Sequence, residues 1–296
     1  MEAKYVCELL GISRSHEGTA RFSFAKLRQE SKRHPHGWGI AFYQTHPTQK
    51  NRYAVIFKEP LKASRSELCL AVRDMNIVRS KIIISHIREA SGGSHIPLNT
   101  HPFELELDTR KNSVREKSWT FAHNGTIPFK RNRRTGRVDD KHFPLRILRP
   151  HGDTDSEYAF CYIMNNLHKA YLNNGHRLTP SQKVALIEKA ANRIDDEYPK
   201  SMNFLLSDGY RIYAYYGGLD KSGGLWYLLR RSPHRSLSLV DKSDGQRIIL
   251  GRSESGTAAI IATKRLTKSD EVWQNFKPRT VYVFQDGTLI RPTYVN

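Results

Sequence analysis

Short apolar runs rich in β-branched and aromatic residues recur from one end of the chain to the other, and they restrict it to a fold dominated by strands. They are Gly39 to Tyr43, Tyr53 to Phe57, Lys81 to His86, Trp119 to His123, Asn203 to Leu206, Arg211 to Tyr216, Leu225 to Leu229, Ala258 to Ala262 and Thr280 to Phe284. Runs of this length and composition read as strands. Asp208-Gly209 and Asp286-Gly287 sit between such runs, the short-range mark of hairpins and therefore of antiparallel pairing. Two helices are marked by their caps. At Thr154-x-x-Glu157 a hydroxyl and a carboxylate can each satisfy a free backbone N–H ahead of an apolar-periodic segment reaching to Tyr171. At Thr179-Pro180-x-Gln182, proline takes the first helical position of a segment running to Asp196. A weaker pattern predicts a third helix over Ser66 to Met75. Many antiparallel strands with few helices give an α+β protein with layered sheets.

No Pro/Gly/Ser-rich linker or internal repeat divides the 296 residues, so one domain is the simpler reading. No apolar run approaches the roughly 18 residues that cross a bilayer, and the charged start leads into no apolar signal region. The cysteines Cys7, Cys69 and Cys161 are an odd, widely spaced set. That argues against a disulfide framework and for a reducing, cytoplasmic setting, and it rules out a zinc ribbon. The formal net charge is +19. It is concentrated in Arg28 to Arg33, Arg110 to Lys117 and Lys130 to Arg137. Such runs read as solvated loops more often than as a nucleic-acid patch, and no helix-turn-helix, zinc-finger or RRM-type pattern accompanies them.

Several residues could carry chemistry. If its α-amino group is free, Cys7 supplies both a thiol and a general base; with Met1 to Val6 attached, that nitrogen is an amide and cannot accept a proton. Arg88 emerges where the strand ending near His86 gives way to a loop, a placement suited to holding a carboxylate by two parallel hydrogen bonds, or to a surface ion pair. Asn124-Gly125 offers a side-chain amide beside a backbone N–H, two donors for a developing oxyanion, or simply a tight turn. In Gly152-Asp153-Thr154-Asp155-Ser156-Glu157, capping accounts for Thr154 and Glu157 but not for both aspartates, one of which could hold a substrate ammonium. His34-Pro35-His36-Gly37-Trp38-Gly39 has no carboxylate or cysteine at metal-ligand spacing, so no metal is expected; its glycines allow close backbone approach.

Taken in order, Cys7-Glu-Leu-Leu-Gly11, Gly37-Trp-Gly39, His86-x-Arg88-x-Ala90, Thr100-His-Pro-Phe103, His123-Asn-Gly125 and Gly152-Asp-Thr-Asp-Ser-Glu157 resemble the signatures of the class II glutamine amidotransferase domain of the N-terminal-nucleophile (Ntn) hydrolases. The likeness is closest to stand-alone bacterial glutamine amidotransferases and the γ-glutamyl-cleaving subunit of the fungal glutathione-degradation complex. It continues into Ile261-Ala-Thr-Lys-Arg-Leu-Thr267 and Glu271-x-Trp273. The resemblance implies a four-layer αββα sandwich of antiparallel sheets spanning residues 7–296. It implies Cys7 as nucleophile with its α-amine as base, Asn124 and the Gly125 N–H as oxyanion hole, Arg88 holding the glutamyl α-carboxylate, and Asp155 its α-ammonium. No cofactor is implied. Glu89 and Ser91 depart from the Trp and Thr of synthase-linked members, and His36 from the Asp that usually precedes Gly-Trp-Gly in the stand-alone group.

Residues 1–6 form a leader ahead of the nucleophile. A propeptide, an engineered or inactive form, or a start codon assigned too early would each account for it; the last is favoured, since Val6 can be encoded by GTG, which also initiates in bacteria. The expected function is release of ammonia or an amine from glutamine or another γ-glutamyl compound through a Cys7 thioester, with any ammonia acceptor on a separate synthase or partner subunit. Nucleic acid and membrane are not expected partners. The alternative is a catalytically silent module of the same fold whose basic loops contact nucleic acid or an acidic protein.

Overall fold

A computed structural model describes residues 7–21, 25, 28–29, 35–48, 51–74, 77–89, 94–107, 118–175, 177–218, 224–233, 237–240, 247–250, 255–267 and 271–291. The leader, the Arg110 to Lys117 run and Ala90 and Ser91 lie outside the described residues.

The segment after Cys7 is strand β1 (Glu8–Thr19), which lies near the middle of the larger sheet. On one side it pairs with β4 (Arg79–Ile87), which is followed by β2 (Trp38–Thr45) and the edge strand β3 (Arg52–Glu59). On the other it pairs with β12 (Thr257–Ala262), followed by β9 (Trp226–Arg231) and β13 (Gln274–Asn275). The second sheet has the order β15 (Thr288–Arg291), β14 (Val281–Gln285), β8 (Arg211–Tyr216), β7 (Asn203–Ser207), β6 (Ser118–Asn124) and β5 (Phe103–Glu106). β10 (Leu237–Val240) and β11 (Arg247–Leu250) form a separate ribbon. Among the described residues every strand pairing is antiparallel.

Three apolar layers separate four structural ones. Leu10, Ile12, Trp38, Ile40 and Ile83 of the larger sheet pack with Cys69 and Val72 of α1 (Glu67–Asp74). Leu9, Ile82 and Ile84 pack between the sheets with Ala122, Leu205 and Ile212. Phe121, Phe204 and Tyr213 pack with Phe160, Ile163 and Leu167 of α2 (Asp155–Asn173) and Ile187 and Ile194 of α3 (Pro180–Glu197). The order is α, β, β, α, the expected sandwich. Both faces of the central strands are covered, so β4 carries Ile82-Ile83-Ile84 as an unbroken apolar run rather than an alternating one. Each such side chain contributes about 1.5–3 kcal/mol on burial.

Each predicted strand overlaps an observed one, and the Asp208-Gly209 and Asp286-Gly287 hairpins are realised as β7–β8 and β14–β15. β1 was not evident beforehand because its second half, Ser13-Arg-Ser-His-Glu-Gly18, is polar; β5, β13 and β15 are only two to four residues long. The α3 capping box is reciprocal: Thr179 Oγ1 accepts from the Gln182 N–H, and the Thr179 N–H donates to Gln182 Oε1. The expected box on α2 is only half formed. Thr154 Oγ1 accepts from the Glu157 N–H at 3.2 Å, but the Glu157 carboxylate accepts from His151 and Gly152, at 2.9 and 2.7 Å, because the loop before the helix curls back over it.

Of the Arg28 to Arg33 run only Arg28 and Gln29 are described, and Arg28 departs from the reading as a solvated loop. Arg28 is buried, its guanidinium donating to the carbonyls of Ala63 and Ser64. The Lys130 to Arg137 run is an exposed hairpin. Among the described residues no helix is long and apolar enough to cross a membrane.

Candidate active site

Cys7 stands immediately before β1, and strand alternation puts it on the side of Leu9, facing the second sheet. Its neighbour Glu8 points the other way, where one carboxylate oxygen accepts from the Thr263 hydroxyl at 2.5 Å and the other pairs with the Lys264 ammonium. Thr263 Oγ1 accepts in turn from the Leu9 N–H at 3.2 Å, and the Thr263 N–H donates to the Leu9 carbonyl. This clamp fixes the two residues after Cys7 and so the origin of its side chain.

Cys7 as a residue is half-buried, with its thiol turned inward. Its Sγ accepts from the Glu89 N–H at 3.0 Å and lies 3.1 Å from the Glu89 carbonyl, to which the S–H donates. Burial pushes the Cys7 thiol up to about 12, against the weaker pull of the Glu89 backbone. A thiol held there is protonated at neutral pH, so it needs a base to act as a nucleophile.

Arg88 follows the last residue of β4. Its main chain is fastened to residues 36–37, the Arg88 N–H donating to the Gly37 carbonyl at 2.8 Å and the His36 N–H to the Arg88 carbonyl at 3.2 Å. The His36 ring rests against His95, with centroids 4.6 Å apart. The guanidinium is buried and acts electrostatically on Cys7, Asp153 and Asp155. Burial lowers the Arg88 pKa while those three groups favour its charge. A guanidinium remains charged in any case.

Asn124 closes β6, opposite Asn203 of β7 and on the face of Ala122 that looks between the sheets. Its Nδ2 donates to the Cys7 carbonyl at 2.5 Å, while its Oδ1 is buried and has no hydrogen-bond partner among the described residues. Gly125 follows at φ +143°, and a Cβ there would fall 2.1 Å from the Ser201 carbonyl oxygen. Only glycine permits both the conformation and the approach. That carbonyl sits 3.0 Å from His123 Nε2 and can only accept, so the proton is on Nε2 and Nδ1 accepts from the Ser156 hydroxyl at 2.8 Å. Burial lowers the His123 pKa, in keeping with a neutral imidazole.

Asp155 occupies the first turn of α2, and its Oδ2 accepts from the Ile127 N–H at 2.6 Å. Asp153 exchanges two hydrogen bonds with Asn99: Asn99 Nδ2 to Asp153 Oδ1 at 2.7 Å, and the Asp153 N–H to Asn99 Oδ1 at 3.1 Å. The Ser94 carbonyl accepts from both Asn99 and Arg88, at 3.1 and 3.5 Å. Cys7, Arg88, Asn124, Gly125 and Asp155 are thus joined through a continuous set of contacts. Thr100-His-Pro-Phe103 crosses the start of β2, where a Cβ on Gly39 would fall 2.1 Å from the His101 carbonyl oxygen. The close approach expected of the glycines beside Trp38 is therefore made to another chain segment. Behind it the His86 and His101 rings lie 4.3 Å apart, and burial holds His101 neutral.

Asn99, Glu8, Thr263 and the His123–Ser156 pair acquire structural roles that the sequence had not assigned. All four sit in or beside the quoted motifs, which was the one available signal. Among the described residues no group of three or more His, Cys, Asp or Glu side chains is arranged to hold a metal ion. Chemically, these residues offer a thiol, amide N–H donors, and a guanidinium that acts electrostatically on the thiol and on two carboxylates.

The family model for class II glutamine amidotransferases matches residues 6–295. An uncharacterized Methanocaldococcus jannaschii protein is 34% identical over 292 residues, which cover 96% of this chain and 71% of that one. YafJ of Escherichia coli K12, whose name provisionally assigns it as a glutamine amidotransferase, is 32% identical, with 92% and 95% covered. The crystal structure of a protein from Pseudomonas aeruginosa PA01 described as a predicted glutamine amidotransferase superposes with a TM-score of 0.63 at 26% identity, covering 96% of this chain and 99% of that chain.

Proposed function

The chain belongs to the class II glutamine amidotransferases, and from that membership we propose that it cleaves a γ-glutamyl amide, glutamine or a related compound, with Cys7 as nucleophile. The working form begins at Cys7, so that the α-amine serves as the base that the buried thiol requires. The thiol proton passes to this amine as Sγ bonds to the amide carbon. The oxyanion is held by the remaining N–H of Asn124 Nδ2 and by the Gly125 N–H. Collapse breaks the C–N bond, the α-ammonium returns its proton to the departing amine, and a γ-glutamyl thioester remains. Water, deprotonated by the same amine, then releases glutamate and restores the thiol. Arg88 holds the substrate α-carboxylate and Asp155 its α-ammonium, which fixes the amide against the thiol.

The observation that carries this reading is the meeting of Cys7 and Asn124 from opposite sheets, with Arg88 acting on both Cys7 and Asp155. Ammonia would be released to solution or pass to a partner carrying the acceptor chemistry. The test is to incubate protein beginning at Cys7 with glutamine, glutathione and other γ-glutamyl compounds and to measure glutamate. Release from at least one of them is expected; turnover of none would refute the reading.

A further inference from the structure

The basic hairpin after the Asn124-Gly125 turn takes no part in the proposed reaction. It is an ordered element: Arg131 bridges Val138, the Asn132 N–H donates to the Arg137 carbonyl at 2.8 Å, and the Asp139 N–H to the Lys130 carbonyl at 2.9 Å. Asn132 Oδ1 closes its turn by accepting from the N–H groups of Arg134 and Thr135. The Arg131 guanidinium reaches back to the Asp153 carbonyl at 3.0 Å, which fastens the hairpin to the loop ahead of α2.

Between the hairpin base, the segment after it and Gly152–Thr154 lies a cavity of about 530 Å³. Its walls carry the cations Arg137, Lys141 and Arg149 and the carboxylates Asp139, Asp140 and Asp153. These charges are not equally available. Asp140 is 1% exposed and accepts from the Lys130 N–H, the His142 N–H and the Tyr198 hydroxyl. Asp153 is clasped by Asn99. Arg137, Lys141 and Arg149 are exposed, and their charged ends make no hydrogen bond or ion pair among the described residues. Asp140 and Asp153 keep their negative charge, so the lining as a whole carries three cations and three carboxylates. The exposed charges without a side-chain partner among the described residues are three cations and Asp139, and the adjoining hairpin adds Lys130, Arg131, Arg133 and Arg134.

We propose that this cavity binds a small polyanion, one carrying two or more neighbouring phosphate or carboxylate groups. The volume suits a small-molecule site, for which roughly 300–1,000 Å³ is usual. Arg137 and Arg149 both line it, and a guanidinium fork matches the paired oxygens of such groups. The cavity also shares Gly152 to Thr154 with the loop that leads into Asp155, so its occupant would touch the same segment as the proposed glutamyl site.

Titration calorimetry of the full chain with inorganic pyrophosphate and, separately, citrate tests the site without needing turnover and tells phosphate from carboxylate. Saturable one-to-one binding of at least one probe is expected, weakening as salt rises. Arg137→Gln and Arg149→Gln should each raise the Kd roughly tenfold, the loss of one charge-assisted contact, whereas Arg134→Gln at the hairpin tip should leave it unchanged. Both exposed positions can be substituted without disturbing the core, and circular dichroism checks this. Absence of binding for both probes at millimolar concentration, or equal weakening by Arg134→Gln, overturns the proposal.

Discussion

The side-chain nitrogen of Asn124 donates to the main-chain carbonyl of Cys7 at 2.5 Å, tying the last residue of β6 in one sheet to the residue ahead of β1 in the other. A primary amide has two N–H groups, so one remains for a substrate oxygen. Asn124→Ala removes both. We expect kcat to fall roughly 10²–10³-fold, KM to change little, and stability to drop by about 1 kcal/mol. Glutamate-release kinetics and a melting curve on the same preparation measure the two effects; near-normal kcat would take Asn124 out of the reaction.

The Cys7 thiol, pushed up to about 12 mainly by burial, should be sluggish towards alkylation while residues 1–6 are attached. Its reaction with iodoacetamide should keep accelerating to the highest pH the fold tolerates. Freeing the α-amine, whose ordinary pKa is about 7.7–8.0, places a cation beside the sulfur below that pH. Cys7-initiated protein should then react roughly tenfold faster at pH 7. Equal rates for the two forms would show that the amine does not act on the thiol.

Arg88→Lys keeps the charge but gives up the fork that matches a carboxylate. For glutamine, KM should rise roughly 10–100-fold, the cost of about 1.5–3 kcal/mol for charge-assisted bonds, with a smaller change in kcat. A fall in kcat at unchanged KM would assign Arg88 to the chemical step.

Asp195 tests the fold away from the site. Burial raises its carboxyl to about 6, opposed by the Tyr215 hydroxyl at 2.6 Å. An unfolded aspartate titrates near 3.9, so between about pH 4 and 6 the native state holds the extra proton and stability falls as pH rises, levelling above the upper value. The contribution is at most about 3 kcal/mol, at about 1.4 kcal/mol per pH unit. Denaturant unfolding across this window should show a shallower decline for Asp195→Asn than for the parent chain; identical profiles would contradict the raised pKa.

Local chemistry made much of the fold legible. Thr179-Pro180-x-Gln182 acts within one helical turn and is realised as read, and Asp208-Gly209 closes the hairpin its dipeptide announces. Thr154-x-x-Glu157 has the same local pattern, yet Glu157 bonds to the loop behind it, because the path of that loop is set by tertiary contacts such as Asn99 with Asp153. Motif order brought Cys7, Arg88, Asn124, Gly125 and Asp155 together as candidates. The contacts that position them join residues far apart in the chain, Asn99 with Asp153 across 54 positions and Glu8 with Thr263 across 255. No periodicity or capping signal reaches so far, so only the folded sheets disclose them.

The central claim is that the Cys7 sulfur forms a covalent bond to substrate, and the most direct measurement compares glutamate release from glutamine by protein beginning at Cys7 with that of its Cys7→Ala counterpart. The account predicts steady release by the first and a loss on the order of 10³-fold or more in the second, as expected for removal of a nucleophile. Release by Cys7→Ala at the parent rate would contradict it.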